Sequence, residues 1–232
     1  MKMLKKFTSV ILAVLMSVTA VTFSVDAAQQ KIYGDINADG VISIVDATEL
    51  QKLLVDSREL TFDESKMADV NESQKIDVAD ATAIQKYLTG LDGAGKTGQP
   101  YVTEEQKQQL EQMRQEVFKI VNEERTSRGL SALTYNYELE KCTDIRAEEI
   151  TEVFDHTRPN GQSWSTVLKE QGVSYFTAGE NIAAGYPTAE MVMQGWMNSD
   201  GHRANILSPN FHQFACGVTI SNGRAYWVQL FI

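Results

Sequence analysis

A loop studded with acidic and amide side chains, followed by a helical stretch, occurs twice in this chain, and the repetition constrains the fold more than any other feature. "DINADGVISIVDATELQKLL" from Asp35 returns 34 residues later as "DVNESQKIDVADATAIQKYL" from Asp69. The identities are Asp35/Asp69, Asn37/Asn71, Ile42/Ile76, Asp46/Asp80, Ala47/Ala81, Thr48/Thr82, Gln51/Gln85, Lys52/Lys86 and Leu54/Leu88. Similarity at one fixed offset marks a duplicated supersecondary unit whose halves bury their apolar faces against each other.

Within each copy the oxygen-bearing residues stand at alternate positions. A hard cation such as calcium takes six to eight oxygens, and a 12-residue loop supplies them from positions 1, 3, 5, 7, 9 and 12, the seventh through its carbonyl. In the first copy those positions are Asp35, Asn37, Asp39, Val41, Ser43 and Asp46, with Gly40 sixth, where the chain turns through positive φ. In the second they are Asp69, Asn71, Ser73, Lys75, Asp77 and Asp80, with Gln74 in the glycine place. A single copy also has a reading as a polar turn leading into a capped helix; two copies in register favour calcium. Gln74 forced into the left-handed region costs roughly 1 kcal/mol, and Ser73 removes a carboxylate, so the second site is expected to bind more weakly.

The terminal ligand is Asp and not Glu, and no clear helix precedes Asp35. The pattern resembles a type I dockerin, a paired calcium-loop and helix module, over about residues 31–92. The resemblance implies a cohesin domain of a scaffoldin as partner, as in a cellulosome. It also implies contact residues at Ile44, Val45, Gln51 and Lys52 and, in the second copy, Val78, Ala79, Gln85 and Lys86, with docking allowed in two orientations. Ile44 and Val45 could instead be core. Leu50, Leu53 and Leu54, with Ile84 and Leu88, recur at helical spacing and are expected to join the halves.

The first 27 residues have another purpose. Lys2, Lys5 and Lys6 precede an uncharged apolar run, and Val25 and Ala27 offer small residues for cleavage, the layout of an export signal. The run is also about long enough to anchor a membrane. Removing it from the 21 basic and 31 acidic side chains leaves 18 and 30, a formal charge of −12, which argues against nucleic acid as partner. The protein is therefore expected to be secreted, extracellular and associated with a scaffold or cell surface. Cys142 and Cys216 are open between a disulfide and two buried thiols.

Residues 93–102 collect Gly, Pro and small polar side chains and read as a linker. Beyond it, Thr103 caps a long amphipathic helix, a second helix covers "YNYELEKCTDIRAEEITEVF", a third begins at the cap Thr188, and "FACGVTI" and "RAYWVQLFI" read as strands joined by "SNG". Three strings carry polar residues suited to a site: "FDHTRPNG" with His156, "AGENIAAG" with Glu180 and "WMNSDGHRANIL" with His202. Residues 103–232 thereby resemble bacterial members of the CAP superfamily (cysteine-rich secretory, antigen 5 and pathogenesis-related proteins), an α/β fold arranged as an α-β-α sandwich. The fold class as a whole is thus an export signal, a small all-α dockerin and a CAP sandwich.

The CAP resemblance implies that His156, Glu180 and His202 converge in a cleft that could hold zinc or another divalent metal, or relay a proton. The eukaryotic tetrad is incomplete here: Ser199 stands three residues after Trp196 where a Glu is expected, and Tyr226 where the last His is expected. Each of the three residues also has a structural reading, at a helix end, a buried backbone contact or a turn. There is no HExxH pair, "GQSWS" lacks the last Gly of a nucleophile elbow, and Cys142 lies within a predicted helix. The sequence thus leaves the CAP module open between a binder of glycan, lipid or peptide, a metal-assisted hydrolase or peptidase, and an accessory factor in plant polysaccharide degradation.

Overall fold

A computed structural model of the chain describes residues 31–56 and 58–232. The expected export signal at 1–27 lies outside the described residues. Among those described, no helix is long and apolar enough to cross a membrane.

The N-terminal module is helical: α1 (Ile44–Asp56), α2 (Phe62–Ala68) and α3 (Val78–Leu88). Its core is Ala47 and Leu50 from α1, Ala68 and Val70 around the end of α2, and Ala81, Ala83 and Ile84 from α3, closed by Tyr33, Ile36, Ile42 and Ile76. Leu50 and Ile84 meet as the spacing predicts. Leu54 and Leu88 do not: both are exposed, at 37% and 39%, because they sit in the last turns of the helices, beyond the facing element. Leu53 is half-buried. The helix α2 is an addition to the sequence reading. It starts at a capping box in which Thr61 accepts from the Glu64 N–H and Glu64 accepts from the Thr61 N–H.

Residues 93–102 depart from linker behaviour. Gly98 N–H donates to the Tyr33 carbonyl, Tyr33 N–H to the Gln99 carbonyl and Tyr101 N–H to the Lys31 carbonyl, at 2.9, 2.9 and 2.8 Å. Small residues here serve close backbone approach, which composition cannot distinguish from slack.

The C-terminal module contains α4 (Glu104–Thr126), β1 (Thr134–Tyr135), α5 (Tyr137–Glu152), α6 (Thr166–Glu170), β2 (Gly179–Ala184), α7 (Ala189–Met197), α8 (Asp200–Ile206), β3 (Gln213–Ser221) and β4 (Arg224–Phe231). The sheet order is β1-β3-β4-β2, with β1 parallel to β3 and the other pairs antiparallel. Strand alternation sorts the core into two layers. Phe214, Cys216, Val218, Trp227 and Phe231 face α4 and α7; Ala215, Val228 and Leu230 face α5 and α6. The expected α-β-α sandwich is therefore present. At Gly217 a Cβ would stand 2.4 Å from the Thr143 carbonyl oxygen, so glycine lets α5 lie directly on β3. Cys142 and Cys216 are both buried and free, in opposite layers.

Candidate functional site

Each acidic loop is wound by the same set of hydrogen bonds. The Asp35 carboxylate accepts from the N–H groups of Asp39 and Gly40, at 3.1 and 2.9 Å, as Asp69 accepts from Ser73 and Gln74, both at 2.9 Å. Asn37 and Asn71 accept from the same Asp39 and Ser73 N–H groups at 3.0 and 2.9 Å. Asp46 closes the first loop on the N–H groups of Asn37 and Ser43 at 3.3 and 2.8 Å, and Asp80 closes the second on Asn71 and Asp77 at 3.2 and 3.0 Å. Backbone conformation repeats as well: Ala38 and Gly40 have φ of 58° and 81°, Glu72 and Gln74 of 57° and 65°.

This wiring buries Asp35, Asp46, Asp69 and Asp80 to 5%, 0%, 8% and 0% exposure. Among the described residues none of the four forms an ion pair with Lys or Arg. Burial, with repulsion from Asp69 and Asp77, pushes the Asp80 carboxyl above its ordinary value against the opposing backbone hydrogen bonds. Buried carboxylates without a counter-charge are costly unless a cation joins them.

The second cluster lies where α5, the loop after it, β2 and α8 meet. Glu180 on β2 is sealed from solvent and uses both carboxylate oxygens: Oε1 accepts from Arg146 Nε at 2.8 Å, and Oε2 stands 2.6 Å from His156 Nδ1. Arg146, also sealed, donates onward to Glu149 at 2.7 Å and to the Asp155 carbonyl at 2.8 Å, which pins the loop that carries His156. Glu149 is shared with Arg158, which reaches Glu170 beyond it. The bond to Glu180 raises the His156 imidazole above its ordinary value. Burial, and then the neighbouring His156, lowers His202. His202 is held by the brace between β2 and α8: Asn181 Nδ2 donates to its carbonyl at 3.1 Å, while Asn205 Nδ2 donates to Asn181 Oδ1 at 2.9 Å and to the Glu180 carbonyl at 3.2 Å.

Residues 33–97 match the dockerin type I domain, and residues 118–231 match the cysteine-rich secretory protein (CAP) family. The chain carries a type I dockerin followed by a CAP domain. Two Bacillus subtilis proteins resemble the CAP part: the uncharacterised protein YkwD, 41% identical over 118 residues, which are 50% of this chain and 45% of that one, and the uncharacterised membrane protein YlbC, 29% identical over 119 residues, 50% of this chain and 33% of that one. The matched region thus spans less than half of either relative. An extracellular protein from Bacillus anthracis with an SCP domain superposes with a TM-score of 0.51 at 27% identity, covering 57% of this chain and 44% of that chain.

In the dockerin, the candidate ligands Asp35, Asn37, Asp39, Val41, Ser43 and Asp46 fall within one wound loop, and Asp69, Asn71, Ser73, Lys75, Asp77 and Asp80 within the other. Among the described residues no three His, Cys, Asp or Glu side chains form a ready metal cluster; half of each loop's candidates are Asn, Ser or a main-chain carbonyl. The buried, uncompensated carboxylates nevertheless fit a hard divalent cation. Ile44, Val45 and Val78 are exposed at 59%, 47% and 64%, so they do not fill the core. Ala79, Gln51, Lys52 and Gln85 are exposed with them, and Lys86 is half-buried.

In the CAP domain, His156 and Glu180 are in contact and His202 lies beside them. The partner that sequence reasoning missed is Arg146. Its signal was an arginine on the apolar face of α5, three residues before Glu149. With a guanidinium on one oxygen and an imidazole on the other, Glu180 is not itself placed to ligate zinc; its bond to His156 Nδ1 is one that metal-ligating histidines commonly make.

Proposed function

We propose that this chain is an extracellular docking component: its dockerin folds around two calcium ions and binds a cohesin domain of a scaffoldin, and its CAP domain is the cargo, a non-catalytic module that binds a glycan, lipid or peptide. The observation that carries the reading is the pair of similarly wired loops with four buried carboxylates that have no basic partner among the described residues. Calcium would be held by the oxygens of Asp35, Asn37, Asp39, Val41, Ser43 and Asp46, and of Asp69, Asn71, Ser73, Lys75, Asp77 and Asp80, supplying the missing positive charge. In the second loop the Ser73 hydroxyl already donates to the Lys75 carbonyl at 3.0 Å, which supports weaker binding there. The exposed faces of α1 and α3, through Ile44, Val45, Gln51 and Lys52 and through Val78, Ala79, Gln85 and Lys86, are the docking surfaces. In the CAP cleft, Glu180 orients His156 by its Nδ1 and leaves Nε2 for one directed hydrogen bond to a ligand.

The test is capture on a panel of immobilised cohesins with and without a calcium chelator. Capture by at least one cohesin that disappears on chelation is expected; indifference to the chelator sinks the reading. A second reading, metal-free proton transfer by His156 in a hydrolase, is favoured by the same Glu180 bond, which is the arrangement a general base requires. Turnover of a peptide, ester or glycoside that is lost in His156→Ala would establish it over the binding module.

A further inference from the structure

The segment 95–101 touches the second acidic loop and the residues that lead into the first, and ends two residues before α4. Lys96 N–H donates to the Val70 carbonyl at 2.7 Å, and Lys96 Nζ pairs with Glu72 at 2.6 Å; these are the second and fourth positions of the second loop. A Cβ on Gly95 would stand 2.1 Å from the Val70 carbonyl oxygen, so the approach is closed to any other residue. On its other side the segment runs antiparallel to residues 31–34, which lead straight into Asp35, with an isolated bridge between Ile32 and Pro100. The end is locked by Tyr101, 3% exposed, whose ring stands edge-on to Tyr33 at 5.2 Å and whose hydroxyl donates to Asp63 Oδ1 at 2.7 Å. Lys96 Nζ lies 5.2 Å over the same Tyr33 ring. Only Val102 separates this lock from Thr103, the cap of α4.

We propose that residues 95–101 form a strut that couples the state of the calcium loops to the length of the tether between the two modules. The proposal rests on the calcium-docking reading. With both loops wound, the strut is fixed and the tether is a residue or two. With the loops unwound, its anchors at Val70, Glu72 and Tyr33 are lost and the tether lengthens by as much as about 25 Å, at roughly 3.5 Å per extended residue. Coupling of this kind is reciprocal, so releasing the strut must weaken calcium binding.

The test uses the full chain. In saturating calcium, Tyr101→Ala is expected to speed tryptic cleavage after Lys96 about tenfold. It should also lower calcium affinity severalfold at one site or both, read by titration calorimetry, while two ions still bind at saturation. Tyr101→Phe, which keeps the ring and loses only the Asp63 bond, should show a smaller change of the same sign. Thermal unfolding of the CAP domain serves as the control for folding. Calcium uptake by the parent chain with affinity and cleavage both unchanged in Tyr101→Ala overturns the strut alone. No calcium uptake by the parent chain overturns the docking reading and the strut together.

Discussion

Glu180 shows how one residue's neighbours decide what it can do. A carboxylate beside two histidines suggests a metal ligand or a base for water; a guanidinium on one oxygen and an imidazole on the other are the contacts of a group that would position His156. Glu180→Gln is expected to lower the His156 pKa, followed by imidazole NMR through a pH titration. The sign for stability follows. Because the folded state holds the His156 proton above the ordinary 6.5, the bond's contribution is fully present below that value and fades as pH rises through the raised one. The gap between the denaturation midpoints of the parent chain and Glu180→Gln should therefore narrow across that interval, down to the constant offset left by the lost Arg146 pair. Position 74 carries a second prediction at this scale. Gln74 adopts φ 65° where Gly40 adopts 81°, so Gln74→Gly should relieve roughly 1 kcal/mol of strain and tighten calcium at the second loop about fivefold in a calcium titration.

At the scale of elements, legibility followed length and one-sidedness. Helices α4, α5 and α7 were readable because each shows one face to the core, and β3 and β4 because β-branched and aromatic runs flank the Asn222–Gly223 turn, both at positive φ. Strand β2 escaped because helices cover both faces of the sheet, which leaves no polar alternation in "GENIAA", buried almost throughout. Helix α8 has seven residues, too few turns to display a period. Helix α2 was within reach: Thr61 and Glu64 stand at capping-box spacing, and the pair starts the helix that leads into the second acidic loop. Thr61→Ala should cost about 1 kcal/mol in chemical denaturation of the dockerin, with the CAP transition unmoved. The site was legible in its histidines and Glu180 and not in Arg146, because a contact between α5 and β2 depends on how the sheet packs and leaves no local pattern.

Taken whole, the molecule joins two modules with different sources of stability. The CAP domain has two apolar layers around a sheet, while the dockerin has a small core of mostly short side chains around four buried carboxylates. Chelation should therefore move only one of two thermal transitions: calorimetry in calcium and in chelator is expected to show the CAP unfolding unchanged and the dockerin unfolding shifted down or lost. Those acidic hairpins carry a consequence for the life of the chain. If the proposed calcium sites hold, mutual repulsion among sequestered aspartates would keep the plug unformed wherever calcium is scarce, and a newly made copy would gain its grip only in mineral-rich surroundings, so that the medium itself would decide when assembly begins.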